Sequence, residues 1–139
     1  MLAGTGFAGR EKDRIESPIE ESRTRTDEFV VIALWAEFER FLIGYLQERS
    51  RIIANRRPKK LTLPLQEQVE DAIEGWRLDD ILDLFKPIVG GDRIGDAKNV
   101  KKFRDWVAHK NPKKPPPAKI DPRTAYTLLN RIIDEIRSL

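Results

Sequence analysis

The chain has 139 residues, of which 40% are hydrophobic and 35% are charged, and its formal net charge is +3. This length suits one globular domain with its own core, and no apolar run is long enough to span a membrane. The absence of cysteine excludes disulfides, thiolate nucleophiles and cysteine-ligated zinc, and a single histidine excludes a histidine-rich metal site. We therefore expect a cytoplasmic protein that needs no metal and no cofactor.

The composition, dominated by Ala, Leu, Ile, Glu, Lys and Arg, predicts an all-α protein, a single up-and-down bundle of four to five helices. Residues 1–25 are predicted to form an arm, partly helical or disordered, and residues 26–139 the bundle domain. Thr26 or Asp27 is predicted to cap a long first helix that ends near Ile53. Its apolar positions recur at steps of three and four and form the predicted buried face: Val31, Leu34, Trp35, Phe38, Phe41, Leu42, Tyr45 and Leu46.

A basic break at residues 56–60 separates this helix from a second, which Pro64 is predicted to open. The apolar residues of the second helix are Leu65, Val69, Ala72, Ile73 and Trp76. A third helix is predicted over Asp79 to Phe85. Its inward-facing residues are Leu78, Ile81, Leu82 and Phe85.

Residues 90–95, which include three glycines, are predicted to form a loop. The loop lacks a preceding strand and any Gly-Lys-Ser/Thr pattern, so a plain connection is favoured over a phosphate-binding loop. Asp96 is predicted to cap a fourth helix that runs to His109 or Lys110. Residues 111–117 are predicted to be stiff and extended because prolines disfavour a helix there. Asp121 and Pro122 open the last helix, with a buried stripe of Ala125, Leu128, Leu129, Ile132, Ile133 and Ile136.

The positive charge is concentrated in two segments. Residues 49–60 carry six cations and no acid, and residues 98–119 carry eight cations against Asp105 alone, a net +7. Because the whole chain is +3, the remainder carries −10. Such segregation is typical of a phosphate-binding surface, although charged helix ends are also often simply solvated.

The only histidine, His109, lies at the end of the fourth predicted helix and within the second basic segment. Histidine is the side-chain type whose ordinary pKa is near neutrality, which suits it to proton transfer. On a helical wheel Asp105 and His109, four residues apart, stack on the face opposite the core, whereas Arg104 lies roughly 140° from His109. Arg104 and His109 of one helix therefore cannot converge on a single phosphate. A two-fold dimer would bring both types of residue to one shared cleft.

Arg104, the polar Asp105 directly after it and His109 five residues beyond the arginine resemble the Arg-polar-x3-His motif of the HEPN superfamily. The run from Trp35 to Leu42 in a long early helix, and the closing amphipathic helix, are also similar to HEPN proteins. The resemblance covers the chain from about residue 26 onward. It implies a HEPN-like helical bundle and a metal-independent endoribonuclease.

In such an enzyme the RNA supplies the nucleophile, its own 2′-OH. The resemblance implies that His109 acts as general base or general acid, that Arg104 holds the phosphate oxygens, and that Asp105 orients the imidazole or bonds the ribose. The surrounding cations are the predicted RNA-binding residues: Lys101, Lys102, Lys110, Lys113 and Lys114.

The resemblance further implies a homodimer with a composite active site and a toxin of a toxin–antitoxin pair or an anti-phage defence effector, with an antitoxin or defence protein as partner. One HEPN subfamily carries a modified tyrosine two residues after the histidine. This chain has Asn111 there, so we do not expect that regulation.

Three alternatives remain open on the sequence. In the first, Arg104 pairs with an acid, Asp105 is solvated and His109 merely ends a helix, near the negative end of its dipole. In the second alternative, the chain is a non-catalytic RNA-binding or protein-interaction module. The third alternative is DNA binding by a helix-turn-helix formed around residues 90–95, although the core residues of the following helix leave few positions free to read bases.

Overall fold

The computed structural model describes the backbone of residues 2–110 and 112–139, and the side chains from Ser17 onward except at position 111. Within these residues all regular structure is helical, which confirms the predicted all-α class. The helices are α1 (Leu2–Ser50), continued by a 3₁₀ turn (Arg51–Asn55), α2 (Lys59–Glu74), α3 (Leu78–Leu84), α4 (Lys86–Val89), α5 (Gly91–His109) and α6 (Pro122–Arg137). The four-residue α4 is the element that the sequence did not predict.

The long α1 is the centre of the bundle and contacts α2, α3, α5 and α6. The end of α5 lies beside the middle of α1, where Lys110 Nζ is 3.2 Å from Glu28 Oε2. Arg93 at the start of α5 pairs with Glu135 near the end of α6, and Arg137 lies 5.3 Å from the Phe41 ring. Thus α5 runs antiparallel to α1, and α6 runs parallel to it. No helix among the described residues is long and apolar enough to cross a membrane.

The core lies where α1, α3, α5 and α6 meet. The predicted faces of α1, α3 and α6 are confirmed in their main positions, and Ile43 of α1 is an additional core residue. Asp121 caps α6 as predicted, because its carboxylate accepts a 2.8 Å hydrogen bond from the Thr124 N–H. The buried apolar residues of the helices that carry the core are Val31, Trp35, Phe38, Leu42, Ile43, Ile81, Leu82, Ile94, Ala97, Val100, Phe103, Val107, Ala125, Leu129, Ile132 and Ile136.

The prediction that Thr26 or Asp27 caps α1 is wrong. The helix continues through both residues, and the Thr26 hydroxyl donates to the Ser22 carbonyl one turn earlier instead of capping a new helix. Pro18 also lies inside α1. The predicted arm is therefore joined to the bundle by unbroken helix, and the side chains of residues 1–16 lie outside the described part.

The predicted start and face of α2 are also wrong. The helix begins at Lys59, because the Pro58 carbonyl accepts hydrogen bonds from two N–H groups of the next turn, and Pro64 falls inside the helix. In the predicted face Ile73 is buried and Val69 partly buried, but Ala72 is exposed and Leu65 is 43% exposed. Trp76, which is 44% exposed, lies beyond the end of α2. The reason is that α2 packs only on α1 and the 3₁₀ turn, so it buries a narrow stripe.

The predicted loop over residues 90–95 is largely helix. Gly90, with φ 94°, makes the turn between α4 and α5, a conformation that glycine adopts readily. α5 then starts at Gly91, and burial of Ile94 in the core holds this first turn in place. Asp96 is consequently an interior residue of α5, and its predicted role as the cap is wrong.

Candidate functional site

The end of α5 is set by the backbone of Lys110. This residue adopts the left-handed conformation, with φ 38° and ψ 52°, and its N–H donates to the Trp106 carbonyl at 2.6 Å. A left-handed residue directly after a helix reverses the chain direction. The helix therefore ends at His109, as predicted, and residues 112–121 contain no helix.

The proline segment, residues 112–118, returns along α5 and encloses a groove with it. The groove has a volume of about 530 Å³, which lies within the range of small-ligand sites. Its lining residues are Lys102, Asp105, Trp106 and His109 from α5, and Lys114, Pro115 and Pro117 from the proline segment. Two members of the predicted catalytic trio, Asp105 and His109, thus face one cleft together with two of the predicted RNA-binding lysines.

Asp105 is the most constrained polar residue of this groove. Its Oδ1 accepts a 2.8 Å hydrogen bond from Arg104 Nη1, and its Oδ2 accepts one of 3.0 Å from Lys101 Nζ. Partial burial acts to raise the pKa of Asp105, but the hydrogen bonds from Arg104 and Lys101 outweigh it and hold that pKa below its ordinary value. The carboxylate is therefore ionised at neutral pH and is already compensated by two cations.

His109 is exposed at the last position of α5. Within the described residues it makes no hydrogen bond or ion pair, so the predicted contact from Asp105 to the imidazole is not formed in this single chain. Both residues nevertheless line the same groove. The imidazole is left accessible to a ligand from that groove.

Arg104 lies on a different face from His109, as the helical wheel predicts. It does not line the groove, and its Nη1 is committed to Asp105. Its Nε is buried without a hydrogen-bond partner among the described residues. A buried donor without a hydrogen-bond partner is energetically costly, so the Arg104 guanidinium retains an unsatisfied N–H group among the described residues.

The five predicted RNA-binding lysines are not equivalent. Lys101 is partly buried between two acids, 3.0 Å from Asp105 and 3.9 Å from Asp79, and Lys110 pairs with Glu28. Lys102 and Lys114 line the groove from opposite walls. Lys113 is exposed on the proline segment next to Lys114. Of the five, Lys102 and Lys114 are best placed to meet an anion in the groove.

The first basic segment lies far from His109 and the end of α5. The second segment meets α1 at Glu28, whereas Arg49 and Arg51 lie at the far end of that helix, roughly 30 Å away at 1.5 Å per residue. A larger groove of about 760 Å³ lies at that far end, but its lining is of mixed charge, with Arg51 paired to Glu70. That groove holds neither the histidine nor an unopposed cluster of cations, so we place the candidate site at the end of α5.

We expect Asp105→Asn to lower the free energy of unfolding at neutral pH, because it removes the carboxylate that both Lys101 and Arg104 contact. The pKa of Asp105 is lower in the folded chain than its unfolded value of about 3.9. Its contribution is therefore present above about pH 5 and is lost as the pH falls through the folded value. Urea denaturation of both proteins at pH 7, 5 and 3 should show a difference that shrinks toward pH 3.

Asp71→Asn is the matched control for this experiment, since Asp71 is exposed on α2 and forms no ion pair within the described residues. We expect this variant to have only a small effect on the free energy of unfolding. A difference between wild type and Asp105→Asn that grows toward pH 3 would contradict the assignment of the ion pairs.

Comparison of the chain with family models, with curated proteins and with solved structures finds no match. Among the described residues, no group of three or more His, Cys, Asp or Glu side chains is placed to hold a metal ion. The site consists of one accessible imidazole, one compensated carboxylate, and lysines on both walls of a groove. Asn111, the position where the modified tyrosine stands in one HEPN subfamily, lies outside the described residues.

Proposed function

We propose that this protein is a metal-independent endoribonuclease that cleaves RNA through attack of the RNA's own 2′-OH, with His109 as the proton-transfer residue. The observation that carries the proposal is the groove in which His109 lies together with Lys102 and Lys114. An imidazole that none of the described residues engages can exchange a proton with a ligand, and lysines on both walls favour a polyanion. The resemblance of the Arg104, Asp105 and His109 spacing to HEPN ribonucleases supports the same reaction.

In the proposed reaction the 2′-oxygen bonds to phosphorus and the bond from phosphorus to the 5′-oxygen breaks. One imidazole accepts the proton of the 2′-OH, and a protonated imidazole donates a proton to the leaving 5′-oxygen. The products carry a 2′,3′-cyclic phosphate and a 5′-hydroxyl. Arg104 would bind the non-bridging oxygens once a substrate phosphate competes with Asp105 for its guanidinium.

A homodimer completes this site, because Arg104 and His109 of one chain lie on different faces of α5. The surface beside the end of α5 supports such an assembly. A second groove there, of about 370 Å³, is lined by Val107, Ala108 and Lys110 from the end of α5 and by Phe29 from α1. Phe29 is 69% exposed, and a large aromatic residue that is accessible next to the site is a natural dimer contact.

We expect Phe29→Asp to convert the protein to a monomer and to reduce RNA cleavage at least tenfold, although Phe29 does not line the groove that holds His109. The reason is that a buried unpaired carboxylate at a dimer contact strongly disfavours association. Sedimentation equilibrium at micromolar concentration measures the oligomeric state of each protein. Ile19→Asp, at a residue that is also exposed on α1, is the control and should remain dimeric. A wild-type chain that sediments as a monomer would contradict the composite site.

The reaction is tested by incubating the purified protein with a mixed RNA pool in EDTA. The fragments are resolved, and their 3′ ends are assayed for 2′,3′-cyclic phosphate. Cleavage in EDTA with cyclic ends supports the proposed chemistry. Cleavage that requires added Mg²⁺, or products with 5′-phosphates, would contradict it.

A non-catalytic RNA-binding or protein-interaction module is the second candidate. It is favoured by one observation, that Arg104 is bonded to Asp105 and does not line the groove. Binding of RNA with a steep salt dependence but without any product would support this alternative. DNA reading by α5 is disfavoured, because that helix packs against α1, α3, α4 and α6 and so cannot enter a major groove.

The biological setting that we propose follows from the HEPN resemblance. It is that of a cytoplasmic toxin of a toxin–antitoxin pair or of an anti-phage defence effector, with an antitoxin or defence protein as its partner. The lack of cysteine is compatible with a reducing compartment.

A further inference from the structure

We infer that the groove at the end of α5 is a stacking site for an unpaired nucleobase, with the Trp106 indole as its platform. The inference rests on the proposed function only for the identity of the ligand as RNA. Such a site requires a single-stranded substrate, because a base that is stacked and paired inside a duplex cannot enter the groove.

Trp106 has the properties of a fixed platform. Part of its ring packs against the core, and it is stacked on Phe103 with ring centroids 6.5 Å apart and an interplanar angle of 30°. The accessible part of the side chain lines the groove beside His109. An aromatic ring that is already held in place loses little conformational freedom when a second ring stacks on it.

The opposite wall of the groove is suited to the other face of a base. It is formed by Pro115 and Pro117, whose rings are apolar and whose backbone is restricted by the neighbouring prolines. Pro117 is partly buried against α5, where it also lines a smaller cavity beside Asp96 and Leu128. The wall is therefore anchored to the bundle.

The charges around the groove match a nucleotide rather than an apolar peptide. Lys102 and Lys114 stand on opposite walls, and the single acid of the groove, Asp105, is already bonded to Lys101 and Arg104. A base between Trp106 and the prolines would leave its phosphates near these lysines and its ribose near His109. Stacking on an aromatic ring tolerates any base, so we expect selection for unpaired strands rather than for sequence.

The test uses oligonucleotides without a 2′-OH nucleophile, so that binding is measured apart from cleavage. Fluorescein-labelled 2′-O-methyl RNA decamers are prepared as a single strand, as a fully paired duplex, and as a single strand in which abasic residues replace the bases. Fluorescence anisotropy gives the dissociation constants. We expect the base-bearing single strand to bind about 5- to 100-fold more tightly than the abasic strand, and more tightly than the duplex.

Variants of Trp106 then locate the effect. Trp106→Leu keeps an apolar side chain for the core but removes the ring, and it should abolish the advantage of the base-bearing strand over the abasic one. Trp106→Phe keeps an aromatic ring and should retain most of that advantage. This variant distinguishes the loss of the aromatic platform from a loss of folding. Lys114→Ala is the matched control, and it should weaken binding of the base-bearing and abasic single strands alike because it removes a phosphate contact.

A direct signal comes from tryptophan fluorescence in a Trp76→Phe background. Trp106 is then the tryptophan that ligands can reach, since Trp35 is buried. The base-bearing single strand should quench this fluorescence and the abasic strand should not.

Equal affinities for the base-bearing and abasic strands, or an unchanged advantage in Trp106→Leu, would overturn the stacking site, while cleavage of RNA by the wild type would leave the proposed function standing. A base advantage that depends on Trp106, in a protein that cuts no RNA, would support the stacking site and overturn the ribonuclease.

Discussion

His109→Ala is expected to reduce the rate of RNA cleavage by about 10²- to 10⁴-fold, the range that a positioned general acid or base contributes. The side chain is exposed at the end of α5 and packs into no core contact, so the variant should fold and associate as the wild type does. The rate is measured with a labelled single-stranded RNA in EDTA, at saturating substrate. Affinity for an uncleavable 2′-O-methyl strand should change little.

Two controls separate a chemical role of His109 from a general effect of charge. Lys119→Ala removes an exposed cation from the same basic segment, outside the groove, and should cleave at nearly the wild-type rate. Free imidazole added to His109→Ala should restore part of the activity, since a small base can occupy the vacated space. A His109→Ala protein that folds, dimerises and cleaves as fast as the wild type would exclude His109 from the reaction.

Trp35→Ala is expected to have the largest effect on stability, a loss of about 3–5 kcal/mol in the free energy of unfolding. Trp35 is 1% exposed in the middle of α1, and its ring centroid lies 5.3 Å from that of Phe38. Truncation to alanine leaves a cavity at the meeting point of the helices that carry the core. Because a domain of this kind is stable by roughly 5–15 kcal/mol, this loss is a large share of its total stability.

The measurement is urea denaturation followed by circular dichroism at 222 nm, which does not depend on the tryptophan that is removed. Trp76→Ala is the matched control, as the same substitution at a position that is 44% exposed just after α2, and it should cost far less. Similar losses for the two variants would show that Trp35 does not occupy the centre of the core.

The parts of the fold that follow from local periodicity are predictable from this sequence. The apolar steps around Trp35 and around Leu129 are long and regular, and both stripes are buried as expected. The errors arise where a local signal competes with tertiary packing. Ile94 is buried in the core, and its packing there stabilises helix in the glycine-rich stretch. Because α2 contacts only α1 and the 3₁₀ turn, Leu65 is exposed although its spacing fits the predicted apolar face.

The candidate site is predictable only in part. A helical wheel of α5 places Asp105 and His109 on one face and Arg104 on another, because these relations depend on helical geometry alone. The pairing of Lys101 with Asp79 requires the packing of α3 on α5, and the proline wall opposite Trp106 requires the return path of the chain after Lys110. No pattern within α5 itself encodes either contact.

The unbroken α1 has a consequence for how firmly its two parts are held. From Val31 to Ile43 the helix packs into the core through buried side chains. Between Ser17 and Thr26 almost all of its side chains are exposed, and the contacts there are within the helix, such as the Arg25–Glu21 ion pair. We expect amide protons between Val31 and Ile43 to exchange only when the whole domain opens, and those between Ser17 and Thr26 to exchange through fraying of the helix. The backbone hydrogen bonds make α1 a single helix, but we expect its exposed segment to be less stable against local opening than its buried segment.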